Sequence, residues 1–380
     1  MKSDMRVVHV ITGLSMGGAE RALFNVLSGG LARKYGGAVL SLQGEGVYGP
    51  RIRALGVPVY SLGMRKGLPS PLSIERLRRL VSQLRPDVIQ GWMYHGNLAA
   101  SLAARFAPGR PMVAWNIRHS LDALSAEKWL TQWVIRWNRW GSEGVDAILY
   151  NSRLSRQQHE AFGFSALNGR VIPNGFDTER LFPEPDRGLI SRRDLRIPYD
   201  ATVIGHVARF HPMKDHVSFL RAAIQVMRQR SDVVCLLAGR NVNLRNPVLA
   251  GIVPPELEER FRFVGERDDV PDLMRAMDVF CQSSWSEAFP NVLGEAMALG
   301  VPCVATDVGD SRDIVGETGV IVPPSDIHSL ANGLMTMLDR TREQRVALGG
   351  EARGRIEVNY GLPSVVDQYG KLYERLRQGS

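Results

Sequence analysis

"DVFCQSSWSEAFPNVLGEAMALGVPCVATDV", residues 278–308, reads as strand, loop, helix, strand. Its two apolar ends are continuous rather than alternating, as in parallel strands covered on both faces. Pro290 suits a first helical turn, because its missing N–H would be unpaired there anyway. The amides of Asn291, Val292 and Leu293 then lie at a helix N-terminus, where backbone donors and the dipole favour an anion such as phosphate. Glu287 falls on the loop and Glu295 about one turn inside the helix. Carboxylates so close to a phosphate must point at something else, and hydroxyl pairs are the fitting partners: one glutamate for a ribose, the other for a hexose. Equally, the pair could do no more than cap and neutralise the helix start.

The same alternation extends outward in both directions. "RVVHVIT", "GAVLSL", "VPVYSL", "DVIQGW", "MVAWNI" and "DAILYNS" read as strands of one series. "TVIGHVARF", "DVVCLLAG", "FRFVG", "DVFCQSS", "PCVATDV" and "GVIVPP" form a second. Amphipathic helical stretches lie between them, so each series predicts a doubly wound α/β domain. The proline-rich run "VIPNGFDTERLFPEPDRG" is the expected linker, with the join near residues 173–183. Ligands of such sheets bind beyond the carboxyl ends of the strands, which predicts a cleft faced by both domains.

With 380 residues, 44% hydrophobic and 23% charged, the chain has the make-up of a two-domain soluble protein. Its start lacks the apolar core of a secretory signal, and no run approaches the ~20 apolar residues that span a bilayer. Cys235, Cys281 and Cys303 sit far apart in strand-like runs, as core residues of a reduced, cytoplasmic protein would. The net charge of +8 is uneven: residues 1–180 hold 23 Lys and Arg against 12 Asp and Glu, residues 181–380 hold 24 against 27. The basic half fits either an anionic partner or simple solubility. No aromatic-basic platform for nucleic acid is present.

Arg209 and Lys214, in "ARFHPMK", lie at a strand's carboxyl end, where a guanidinium fork and an ammonium suit a diphosphate. A solvated surface pair is the plainer alternative. The sequence contains no Asp-x-Asp for a divalent cation. His206, His211 and His216 are spaced by five, which puts them on no common face for a metal. In "GLSMGGAER", Gly17 and Gly18 make a strand-to-helix turn where backbone can approach a ligand closely. His119 stands just beyond the strand "MVAWNI".

These motifs, "EAFPNVLGEAMALGVPCVATDVG" with its Glu-x7-Glu spacing, "ARFHPMK", "PNGFD" and "GGAER", resemble glycosyltransferase family 4 nearly end to end. The resemblance implies the GT-B fold of two Rossmann-like domains facing a cleft. Residues 1–175 would bind acceptor and residues 176–361 the nucleotide sugar, with a C-terminal helix in 362–380 crossing back to the first domain. It implies retaining transfer from a nucleotide sugar, UDP-linked on family grounds, with no metal and no cofactor. Arg209 and Lys214 would hold the diphosphate, Glu295 the ribose and Glu287 the sugar hydroxyls. Phe289, Pro290, Asn291, Val292 and Leu293 would line the donor, His119 would meet a hydroxyl near the reacting centre, and Gly17 and Gly18 the distal phosphate. Ala288, Asp215 and Asp310 depart from the family pattern, each standing where glycine is common. Rival readings are a nucleotide-sugar 2-epimerase or a phosphorylase of the same fold, the latter needing pyridoxal phosphate on a lysine. A third is a non-catalytic basic protein that binds membrane.

"EKWLTQWVIRWNRW", residues 127–140, holds four of the seven tryptophans at helical spacing. Trp129, Trp133, Trp137 and Trp140 share one stripe, which ordinarily packs into a core. The alternative is an interfacial helix on an anionic membrane, supported by the basic run "RLRRL" and the pair Arg65 and Lys66. A lipid-linked saccharide acceptor at the cytoplasmic face would fit that alternative, with His95 and Asn97 near its sugar.

Overall fold

The computed structural model describes residues 4–64 and 70–378, so the pair Arg65 and Lys66 lies outside the described residues. The chain divides into two compact units, Met1–Gly175 with Leu362–Ser380, and Phe176–Gly361. Each is described by itself.

Unit 1 holds β1 (Arg6–Ile11), β2 (Gly36–Ser41), β3 (Val59–Ser61), β4 (Val88–Trp92), β5 (Met112–Ile117), β6 (Ala147–Tyr150) and β7 (Gly169–Val171). They form one parallel sheet in the order β3-β2-β1-β4-β5-β6-β7. Unit 2 holds β8 (Thr202–Val207), β9 (Val233–Ala238), β10 (Phe261–Gly265), β11 (Val279–Gln282), β12 (Cys303–Thr306) and β13 (Gly319–Val322), in the order β10-β9-β8-β11-β12-β13. The central strands are buried along their whole length, and helices cover both faces, which is why their sequences run apolar without alternation. The three cysteines are free and buried. Strand β7 escaped the sequence reading. It is a three-residue edge whose "GRV" merges into the turn-rich run after it.

Each sheet reverses its winding beside its first strand, so the switch points lie between β1 and β4 and between β8 and β11. In such sheets ligands bind at these switch points, beyond the carboxyl ends of the strands. Gly17 follows β1, His95 follows β4, Arg209 follows β8, and Glu287 follows β11.

The helix Leu362–Gln378 belongs to unit 1, as expected. Val365, Tyr369 and Tyr373 are fully buried against residues of β1, β4 and the helix Gly18–Val26. The Tyr373 hydroxyl donates to Gln90 Oε1, and the Tyr369 hydroxyl accepts from Asn116 Nδ2 at 2.8 Å and Arg118 Nη1 at 3.1 Å. The Arg118 guanidinium also donates to Asn174 Oδ1. Chain end, β5 and the "PNG" turn therefore share one buried polar network.

The tryptophan stripe corrects the core reading. Trp129, Trp133, Trp137 and Trp140 are 67%, 51%, 59% and 67% exposed. The helix Trp129–Gly141 buries its opposite side instead, through Ile135 and Asn138. Of the basic run, Arg78 and Arg79 are ion-paired with Glu75.

Tyr373→Ala should destabilise unit 1 by about 3–5 kcal/mol, the usual cost of deleting a buried aromatic ring. Chemical denaturation of the intact chain would measure it. An unchanged transition would mean that the terminal helix contributes nothing to that core.

Candidate functional site

The site in unit 2 is built by two loops from adjacent strands. After β8 the chain passes Arg209, makes a short turn at Pro212–Lys214 and enters the helix His216–Gln229. After β11 it runs through Ser283, Ser284 and Trp285 to Glu287, then into the helix Asn291–Ala298. The loops are laced together. Ser283 Oγ donates to the carbonyls of Lys214 and Asp215 at 3.0 and 3.1 Å. The Trp285 amide and indole N–H donate to the carbonyls of Met213 and Pro212, both at 3.0 Å.

Across this junction Lys214 Nζ pairs with Glu287 Oε1, and Ser284 Oγ donates to the same oxygen at 2.8 Å. The two side chains are only 23% and 12% exposed, so each charge depends on the other to offset its desolvation. Glu287 Oε2 has no partner among the described residues, which leaves it able to accept from hydroxyl groups. Arg209 is exposed and makes no hydrogen bond or ion pair among the described residues. Glu295 is half-buried, one turn into its helix.

Three sequence expectations change. Phe289 is buried, with its ring stacked on Phe176 at 6.1 Å and near Tyr360 at 5.9 Å, so it holds the core rather than a ligand. Leu293 is fully buried, and its amide donates to the Pro290 carbonyl at 3.2 Å, which removes it from the anion-binding set. Pro290 caps the helix from just outside it and is itself buried, while Asn291 and Val292 are half-buried at its first turn.

Two of the three departures from the family pattern, Asp215 and Asp310, have physical accounts. Asp215 adopts the left-handed conformation that favours glycine, φ 48° and ψ 51°. It offsets the strain by capping the next helix, its carboxylate accepting from the Ser218 amide at 3.1 Å. Asp310, at φ −93°, needs no glycine. Gly309 does: φ is 55°, and a Cβ would lie 2.4 Å from the Glu287 carbonyl oxygen. The three histidines serve structure. His206 Nδ1 and His216 Nε2 bond the carbonyl oxygens of Cys281 and Ala208 at 2.9 and 3.3 Å, and His211 caps its own turn. Burial pushes His216 down to about 4 and His206 well below its ordinary value, so both rings are neutral.

In unit 1, Gly17 and Gly18 open the helix Gly18–Val26. A Cβ on Gly18 would meet nothing within 4 Å, so the fold itself does not require glycine there. His119 is part-exposed, its Nε2 2.7 Å from Glu127 Oε1. His95 is exposed, but Asn97 is wholly buried, accepting from the Asn116 amide at 3.2 Å. Asn97 therefore joins β5 to its neighbouring helix and does not face an acceptor. The sequence reading missed Ser284 and Glu127. The hydroxyl three residues before Glu287 was a legible signal, whereas nothing in the spacing links Glu127 to His119.

Comparison with known proteins decides the family. Residues 16–180 match the model "Glycosyltransferase Family 4", and residues 201–340 match "Glycosyl transferases group 1". A phosphatidyl-myo-inositol mannosyltransferase of Mycobacterium leprae is 30% identical over 348 residues, 86% of this chain and 87% of that protein. The chain belongs to glycosyltransferase family 4. Other relatives of this family 4 enzyme are the lipopolysaccharide core biosynthesis mannosyltransferase LpsB of Rhizobium meliloti, 25% identical, covering 86% of this chain and 91% of its own. The UDP-Gal:alpha-D-GlcNAc-diphosphoundecaprenol alpha-1,3-galactosyltransferase of Escherichia coli is 23% identical, covering 85% and 84%. In structure the glycosyltransferase is similar to Alr3699/HepE of Anabaena, solved in complex with UDP, with a TM-score of 0.83 and 21% identity over 98% of this chain and 100% of that one. The fold is GT-B.

Because Asp215 combines strain with a cap, its substitutions should split. Asp215→Gly should change stability by no more than about 0.5 kcal/mol, relieving the one while losing the other. Asp215→Leu should cost about 2–3 kcal/mol. Urea unfolding of both variants checks this, and equal costs would contradict it.

Proposed function

We propose that this glycosyltransferase moves a hexose from a UDP-sugar to a lipid-linked saccharide, in the synthesis of a surface polysaccharide or glycolipid, with retention of configuration and without a metal ion. The observation that carries the reading is the Lys214–Glu287 pair beside the unpartnered Arg209. It sets two cations and one free carboxylate oxygen at the switch point where a donor would lie. Arg209 and Lys214 would take the negative charge of the departing diphosphate, the preorganised electrostatic role that a metal fills elsewhere. Glu287 Oε2 would accept from sugar hydroxyls while Oε1 stays on Lys214. Glu295, on the helix, would accept from the ribose, and Asn291 and Val292 would line the phosphates. In the reaction the bond from the anomeric carbon to the diphosphate oxygen breaks and a bond to the acceptor oxygen forms. The acceptor's proton is released with the nucleoside diphosphate. His119, steadied by Glu127, is the unit 1 group proposed to meet a hydroxyl near that carbon, with His95 on the acceptor side and Gly17 and Gly18 near the distal phosphate.

Several relatives support the finer terms of the proposal. Two are named mannosyltransferases and one a galactosyltransferase, which supports a hexose. One name specifies UDP-Gal and a diphosphoundecaprenol-linked acceptor, and another a phosphatidyl-inositol. Among the described residues no helix is long and apolar enough to cross a membrane, so a lipid-linked acceptor would be met from the surface.

The test is incubation with a panel of UDP-sugars, with products followed by NMR. Transfer or slow hydrolysis giving the donor's own anomeric configuration, undiminished in EDTA, is expected. Inversion at C2 without transfer would favour an epimerase instead. Arg209→Ala should lower turnover by about a hundredfold or more, corresponding to about 2.7–4 kcal/mol of barrier. Full activity in that variant would remove Arg209 from the diphosphate site.

A further inference from the structure

A protein seldom leaves four tryptophans in water on one helix without a use for them. The exposed stripe of Trp129–Gly141 adds up to roughly 400–500 Å² of aromatic surface, as large as the biggest apolar patch on an ordinary monomer. Its direction is fixed from inside. Ile135 is wholly buried, and Asn138 Nδ2 donates to the Tyr94 carbonyl at 3.0 Å. At about 100° per residue these two lie opposite the tryptophans, so turning the stripe inward would expose the packed face. Trp137 and Trp140 lie 6.5 Å apart, and the Arg136 guanidinium stands 5.4 Å over the Trp133 ring. Lys128 and Arg139 are exposed too, off the stripe, with the Arg139 guanidinium 5.7 Å over the Phe162 ring. The helix carries no acidic residue. Glu127, just before it, is turned to His119, and the next acid, Glu143, lies past its end.

We infer that this helix seats the protein on an anionic lipid bilayer, lying in the plane of the interface. Charge points to the occupant: the helix has cations but no carboxylate, and residues 1–180 hold 23 Lys and Arg against 12 Asp and Glu, which suits an extended anionic surface. Tryptophan suits the headgroup layer, with an apolar ring and a polar N–H, and flanking cations add attraction to acidic headgroups. The helix begins beside Glu127 and so beside His119. A docked helix would hold that histidine near the surface from which a lipid-linked acceptor projects. This last point rests on the proposed acceptor, whereas the docking itself does not.

The experiment is cosedimentation of the full chain with vesicles of phosphatidylcholine alone and of phosphatidylcholine mixed with phosphatidylglycerol, without donor or acceptor. Binding to the mixed vesicles only, weakened by salt and accompanied by a blue shift of tryptophan fluorescence, is expected. Trp133→Ala with Trp137→Ala should reduce binding by about tenfold or more per side chain removed, with an unchanged melting temperature because both side chains are exposed. Arg136→Gln should reduce it less. Binding that ignores lipid charge and salt, or that survives the double substitution, overturns the inference. So does concentration-dependent dimerisation that the double substitution abolishes, which would make a second copy the occupant. Since no turnover is read, failure here would leave glycosyl transfer untouched.

Discussion

The pair formed by Lys214 and Glu287 is the contact on which the unit 2 site depends. Neither charge is well hydrated, so each would be costly alone, and together they fix the meeting of the β8 and β11 loops. The serines reinforce this arrangement from both sides: Ser283 holds the Lys214 backbone, and Ser284 holds the Glu287 carboxylate. The outcome is a carboxylate with one oxygen engaged and one available, beside a cation whose remaining N–H donors can turn to phosphate. Arg209, one loop residue beyond Ala208, is left to solvent and ready for an anion.

A comparable economy operates in unit 1. The last helix supplies Tyr369 to the network of Asn116, Arg118 and Asn174, and Arg118 is the immediate neighbour of His119. The loop that carries the candidate residue His119 is thereby anchored by Tyr369, 251 positions from Arg118. Glu127 steadies the same histidine from the other side and leads into the tryptophan helix.

Much of this was legible in the sequence because apolar periodicity and turn chemistry follow directly from strand and helix geometry. Twelve of the strands announced themselves as apolar runs, and the carboxyl-end positions of Arg209, Glu287 and His119 followed from them. What could not be read was the direction in which side chains point. Phe289 and Leu293 flank the turn proposed to meet an anion yet face the core, because Phe176 packs against them from a distant part of the chain. Asn97 looked available beside His95 but lies on the inner face of its helix. The tryptophans misled for the opposite reason. Periodicity identifies a stripe, but whether it faces core or solvent depends on the inner contacts of Ile135 and Asn138, which the stripe itself does not encode. Glu127 was invisible because a loop, not a helical or strand period, sets its distance to His119.

The central claim is that Arg209 and Lys214 recognise a diphosphate, and calorimetric titration of UDP and UMP into the wild-type protein and an Arg209→Ala, Lys214→Ala variant tests it directly. The account predicts that UDP binds the wild type about tenfold or more tighter than UMP, as charge-assisted hydrogen bonds to the second phosphate require. It predicts that the preference disappears in a variant that still unfolds cooperatively. Equal affinities in the wild type, or a preference that survives both substitutions, would contradict it.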